Sequence, residues 1–82
     1  MAPRRTAHRK SPIAAVVARN LRDARGEMSQ LELARKAGVD PQQISKWERG
    51  VYTPSTPSLV VLAKVLGRDL TWFYVDHTAV PA

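Results

Sequence analysis

Residues 29–50 read SQLELARKAGVDPQQISKWERG, and they contain two helix starts and one tight turn. Ser29 followed by Glu32 forms a capping box: the serine oxygen takes an orphan N–H of the first turn, and the glutamate can reach back. Asp40, Pro41 and Gln43 repeat the device, with Asp40 as cap and Pro41 at the first helical position, where its missing N–H costs nothing. Between the two starts stands Gly38, expected at positive φ. Ala34, four residues earlier, is small where one helix presses on the other. Two short helices joined this closely, with a glycine in the turn, are expected to cross steeply as a helix-turn-helix unit. Leu33, Ala34 and Ala37 face inward from the first helix, and Ile44 and Trp47, with Val39 nearby, from the second. Gln42, Ser45 and Lys46 are left outside, where an ordinary surface helix prefers Glu, Lys and Ala.

Reading outward, Ser11-Pro12 opens an earlier helix with inward residues Ile13, Val16, Val17, Leu21 and Ala24, ending near Arg25 with Gly26 as its stop. After Gly50, Pro54 and Pro57 cannot both lie inside one ordinary helix, so 51–56 reads as a loop. Ser55 or Thr56 caps a fourth helix carrying Leu59, Leu62, Ala63 and Leu66, with Gly67 at its end. Its valines suggest a strand, but the apolar spacing and the caps favour helix. Asp69 is expected to cap a short fifth helix with Leu70, Phe73 and Tyr74. The expected fold is therefore all-α, with five short helices. One domain covers 11–76, preceded by a flexible basic arm at 1–10 and followed by a fraying tail at 77–82.

The chain has 82 residues, 44% of them apolar, which suits one small core and leaves no room for a second. It has no cysteine, which excludes disulfides and thiolate metal sites. The patch IAAVVA at 13–18 is too short for a membrane helix. It continues into an amphipathic pattern rather than a cleavage site, so a secretory signal is not expected, nor an organelle transit peptide. Net charge is +6. Residues 1–25 hold Arg4, Arg5, Arg9, Lys10, Arg19, Arg22 and Arg25 against Asp23 alone, and the two signs balance thereafter. Such a field suits a polyanion, nucleic acid above all. His8 lies in the arm and His77 in the tail, while Asp40 and Glu48 have structural uses. No catalytic set converges, no phosphate loop or metal cluster is present, and neither an enzyme nor a cofactor is expected.

The residues Ser29-Gln30, Leu33-Ala34, Gly38-Val39, Ile44-Ser45, Trp47-Glu48-Arg49-Gly50, Pro54, Leu62-Ala63 and Leu66-Gly67 resemble the Cro/C1-type, or XRE, helix-turn-helix family over roughly residues 13–75. The resemblance implies a lambda-repressor-like domain whose third helix enters the DNA major groove. It puts Pro41, Gln42, Ser45 and Lys46 at base edges. Gln30, Gln43, Arg49, Tyr52 and Thr53 fall along the backbone, with Gln43 close enough to the base-facing set to reach a flanking base. It also implies an ion pair between an arginine of the first helix, best matched by Arg22, and Glu48. Two features depart from the family pattern. The turn Gly26-Glu27-Met28-Ser29-Gln30 is one residue longer than usual, so Met28 is expected to fill the apolar slot and Glu27 to face solvent. Pro41 stands where many relatives carry a polar reader, and its ring suits a thymine methyl.

The implied function is sequence-specific double-stranded DNA binding as a small transcriptional regulator, a repressor acting as a homodimer at least on DNA. Arg4, Arg5, Arg9 and Lys10 of the arm suit a narrow minor groove. Trp72, Tyr74 and Val75 exceed what the core obviously needs. They read equally well as a surface for a second copy or a protein partner and as a cap over the core. An antitoxin or partner-binding adaptor on the same fold is the alternative. The expected setting is the cytoplasm, on the nucleoid when bound.

Overall fold

The computed structural model describes residues 12–77. The basic arm, the Ser11 cap and the tail beyond His77 lie outside them. The chain folds as α1 (Pro12–Arg25), α2 (Gln30–Ala37), α3 (Pro41–Glu48), α4 (Thr56–Leu66) and a 3-10 turn at Leu70–Tyr74. Four of the five expected helices form as α-helices, and the fifth is the 3-10 turn. Asp69 precedes that turn but gives it no side-chain hydrogen bond. Its carbonyl takes the N–H of Trp72 three residues on instead (3.0 Å). A five-residue segment starting this way has little room for i→i+4 bonds.

The caps explain the other boundaries. Ser29 Oγ accepts from the Glu32 N–H (2.9 Å), and Ser55 Oγ accepts from the Ser58 N–H (3.3 Å). Asp40 Oδ1 accepts from the Gln42 N–H (2.8 Å). The reciprocal halves of both expected capping boxes go elsewhere. Glu32 turns toward Lys36 (3.9 Å), and Gln43 Oε1 accepts the Tyr52 hydroxyl (2.5 Å). Gly38 sits at φ 73°, and the Gly38 and Val39 N–H groups both go to the Ala34 carbonyl. That double acceptance closes α2 and turns the chain into α3 within three residues, Gly38 to Asp40.

One core joins the elements: Val17 and Leu21 of α1, Leu33 and Ala34 of α2, Ile44 and Trp47 of α3, Leu59, Leu62 and Ala63 of α4, and Phe73 of the last turn. Each fully buried Leu, Ile or Phe contributes about 1.5–3 kcal/mol through removal from water. Met28 packs against this core while Glu27 is exposed, as the longer turn led one to expect. On α1 the inward face is rotated from the expected one. Ile13 is 47% exposed, and Ala14 and Ala18 are buried in its place.

Asn20 is fully buried on that face. Its Nδ2 donates to the carbonyls of Trp72 (3.2 Å), Phe73 (2.8 Å) and Val75 (2.8 Å). These carbonyls belong to a non-α segment: those of Phe73 and Val75 take the amide in place of a helical partner, and that of Trp72 shares it with the Val75 N–H (3.4 Å) and His77 Nε2 (2.9 Å). One amide thus fastens the C-terminal turn to the first helix.

Candidate nucleic-acid interface

At about 100° per residue, Ile44, Trp47 and Glu48 share one side of α3, and all three are buried. Gln42 and Lys46, one turn apart, fall on the opposite side. Pro41 and Gln42 are exposed, and Ser45 and Lys46 are half-buried. Three of the four expected base readers, Gln42, Ser45 and Lys46, therefore form one band of amide, hydroxyl and ammonium away from the buried side, while Pro41 falls in line with Glu48 and is exposed because it stands at the helix start.

What keeps this helix fixed lies at its far end. The Glu48 carboxylate is 3% exposed and receives Arg25 Nε on one oxygen (2.6 Å) and Arg25 Nη2 on the other (2.8 Å). Gln30 Nε2 adds a third bond, to Oε1 (2.9 Å). A carboxylate in so dry a place needs such partners, because an unpaired buried charge is costly. The hydrogen bonds to Glu48 raise the Arg25 pKa further above its ordinary value, outweighing the effect of burial, so Arg25 is a permanent cation.

This corrects the expected pairing of Arg22 with Glu48. Arg22 Nη1 donates to the backbone carbonyl of Glu48, and Arg25 holds the carboxylate. Arg25 Nη1 also donates to the Met28 carbonyl (2.6 Å). The long turn after α1 thus brings a second acceptor to Arg25 and holds its guanidinium beside Glu48. Both arginines tie the end of α1 to the end of α3.

Gln30 opens α2 half-buried, with its amide nitrogen engaged by Glu48. The structure thus gives this expected backbone contact an internal partner that fixes its position. Gln43 stands at the flank of the α3 outer face, half-buried, and is bonded to Tyr52 in the following loop. Arg49 and Tyr52 are exposed and Thr53 is half-buried. All three lie beyond the C-terminal end of α3, and the Tyr52–Gln43 bond ties this loop to the flank of the helix's outer face. Arg4, Arg5, Arg9 and Lys10 fall outside the described residues.

The aromatic end is built separately. Trp72 packs edge-on against Phe73 (centroids 5.2 Å apart) and stacks with His77 (4.5 Å). The Arg68 guanidinium lies 4.4 Å from the Trp72 ring centre. Trp72 and Tyr74 are half-buried, and Val75 is 52% exposed.

Sequence reasoning missed Asn20 and the Gln43–Tyr52 bond. A lone asparagine three residues after Val17 and four after Val16, in phase with the inward face of α1, was the signal available for the first. The second had none, because the two residues are nine apart across a helix end. Among the described residues, no three His, Asp or Glu side chains gather as a metal ion would need. No helix among them is long and apolar enough to cross a membrane.

The profile of the helix-turn-helix family matches residues 19–73, more than half of the chain. Among solved structures, the chain is similar to a hypothetical transcription factor, NHTF, from Neisseria. The identity is 29%, the TM-score 0.75, and 80% of this chain and 78% of that one are covered. It is also similar to the SOS-response transcriptional repressor LexA from Eubacterium rectale, with 25% identity, a TM-score of 0.80, and coverage of 90% and 81%. Comparison with curated proteins returned no match.

Proposed function

The chain belongs to the helix-turn-helix family, and on that premise we propose that it binds double-stranded DNA sequence-specifically as a small Cro/C1-type transcriptional regulator. The observation that carries the reading is the two-sidedness of α3. Ile44, Trp47 and Glu48 anchor one side in the core, and Gln42, Ser45 and Lys46 occupy the other. A helix held this firmly can present its outer face to the major groove without reordering, which spares the entropy of fixing it on contact.

The chemistry of that face suits base reading. Gln42 can pair with adenine N6 and N7, and Lys46 favours guanine O6 and N7, each good pair discriminating by about 1–3 kcal/mol. Ser45 reaches either kind of edge, and the Pro41 ring suits a thymine methyl. Gln30 at the start of α2, with Arg49 and Thr53 beyond α3, supplies the backbone contacts that set register. The arm residues Arg4, Arg5, Arg9 and Lys10 add charge that follows the duplex.

The regulator acts as a repressor, in the cytoplasm, with two copies placing their α3 helices on successive groove faces about 34 Å apart. The exposed Val75, beside half-buried Trp72 and Tyr74, offers apolar surface for the contact between copies. The test is selection from random duplex DNA at two salt concentrations. A two-fold symmetric motif that persists at the higher salt is the expected result. Binding without enrichment would reduce the protein to a charge-driven binder. No binding would favour a partner-binding adaptor.

A further inference from the structure

We infer that Tyr52 sets what Gln43 can bind: it holds back the amide oxygen and leaves Gln43 a hydrogen-bond donor, suited to an acceptor-only DNA surface and unsuited to adenine. The inference rests on the DNA-binding reading above and adds a specificity-determining residue to it.

A glutamine amide has two faces, an oxygen that accepts and a nitrogen with two protons to donate. In water either end can lead. Here the Tyr52 hydroxyl donates to Gln43 Oε1 (2.5 Å) from the loop that follows α3. Tyr52 occupies a short, well-tied segment: the Gly50 N–H reaches the Trp47 carbonyl (3.1 Å) and the Val51 N–H the Lys46 carbonyl (3.0 Å). Pro54 behind it is buried. The hydroxyl therefore approaches Gln43 from an anchored turn. Because the amide is planar, an oxygen drawn toward Tyr52 puts Nε2 on the other prong. Among the described residues no acceptor meets the Nε2 protons.

A bidentate grip on adenine needs Oε1 and Nε2 forward together, one to accept from N6 and the other to donate to N7. With the Tyr52 bond kept, Gln43 has only the second lone pair of Oε1 for N6, in an amide orientation that the hydroxyl already fixes. Guanine presents O6 and N7, both acceptors, and a phosphate presents oxygens alone. Either surface takes the Nε2 protons with the Tyr52 bond intact. The shared chemistry is an acceptor without a donor beside it, which sets Gln43 apart from its neighbour Gln42. Gln42 makes no side-chain bond to the loop and keeps both ends available. Two adjacent glutamines thereby acquire different preferences.

The experiment is a double-mutant cycle of Tyr52→Phe and Gln43→Ala, read on the selected duplex and on duplexes varied at the step next to the one Gln42 reads. Tyr52→Phe removes one exposed oxygen and leaves the ring in place. If the acceptor is guanine, Tyr52→Phe should cut the guanine-over-adenine preference at that step by about two- to tenfold, the range a neutral hydrogen bond carries. If it is phosphate, both single variants should weaken all duplexes alike. In either case Tyr52→Phe should have little further effect once Gln43 is alanine. A full Tyr52→Phe loss persisting in the Gln43→Ala background would show the tyrosine touching DNA on its own account, and would overturn the inference. So would a silent Tyr52→Phe beside an effective Gln43→Ala, or a silent Gln43→Ala. Failure of the unaltered protein to bind any duplex is a separate outcome, which overturns the DNA-binding reading itself.

Discussion

The carboxylate of Glu48, at the end of α3, is gripped by Nε and Nη2 of Arg25 from the end of α1. The Arg22 guanidinium, one turn earlier, meets the Glu48 backbone carbonyl instead. The two arginines therefore differ in what they lose when Glu48 changes. Glu48→Ala should cost about 3 kcal/mol, the lower end for breaking a buried ion pair, because Arg25 keeps some access to water. In double-mutant cycles followed by urea unfolding, Arg25→Ala and Glu48→Ala should couple strongly. Arg22→Ala and Glu48→Ala should be nearly additive, since alanine keeps the carbonyl that Arg22 uses.

Asn20 joins α1 to the Trp72, Phe73 and Val75 carbonyls. Asn20→Ala leaves the buried Phe73 carbonyl and the part-buried Val75 carbonyl unmatched, at about 1–3 kcal/mol for each group truly stranded, while the Trp72 carbonyl keeps the Val75 N–H and His77 Nε2. Asn20 Oδ1 is itself buried without a partner among the described residues, and its removal returns part of that loss. A net destabilisation of about 2 kcal/mol is expected. Asn20→Asp should be worse, because it faces three carbonyl oxygens with a negative charge. Hydrogen exchange should quicken first at Trp72 and Val75, whose N–H groups are bonded within the released turn.

These two sites also show where sequence reading reached its limit. The helix starts at Ser29 and Asp40, the turn at Gly38 and the inward set Leu33, Ala34, Ile44 and Trp47 rest on local rules of capping and periodicity, so they were legible. The outer face of α3 followed from the same phase. Asn20 binds residues 52 to 55 positions away, and nothing local marks such a partner. Arg22 and Arg25 lie one turn apart on the same side of α1. The choice between them depended on where the longer turn placed the Met28 carbonyl. The last segment had helical residues, yet it was too short and too weakly capped to complete α-helical bonds. Ile13 looked inward by spacing. Its exposure follows from a rotation of α1 that buries Asn20 and the small Ala14 and Ala18 instead.

Gly38 separates conformational cost from crowding. A Cβ there would meet no atom within 4 Å, while φ is +73°. Gly38→Ala should therefore destabilise by about 1–2 kcal/mol through the left-handed backbone alone. Leu62→Ala, in the core, should cost about 2–5 kcal/mol by opening a cavity. Thermal or urea unfolding of the pair would check both values. A larger loss at Gly38 than at Leu62 would contradict this account of the turn.

On DNA, Gln42→Ala should lose preference at one base step and keep most non-specific affinity. Arg4→Ala should weaken all duplexes by similar factors and lower the salt dependence by about one unit of slope. Competition binding on single-base variants of the selected site checks both. Identical profiles for the two variants would contradict the assignment of readers.

The most direct test of the central claim, that the outer face of α3 enters a duplex groove, is titration of isotope-labelled protein with its selected duplex by NMR. The account predicts the largest amide shifts at Gln42, Ser45 and Lys46, with smaller ones at Gln30 and Arg49. Shifts concentrated at Arg68 to Val75 while α3 stays unperturbed would contradict it.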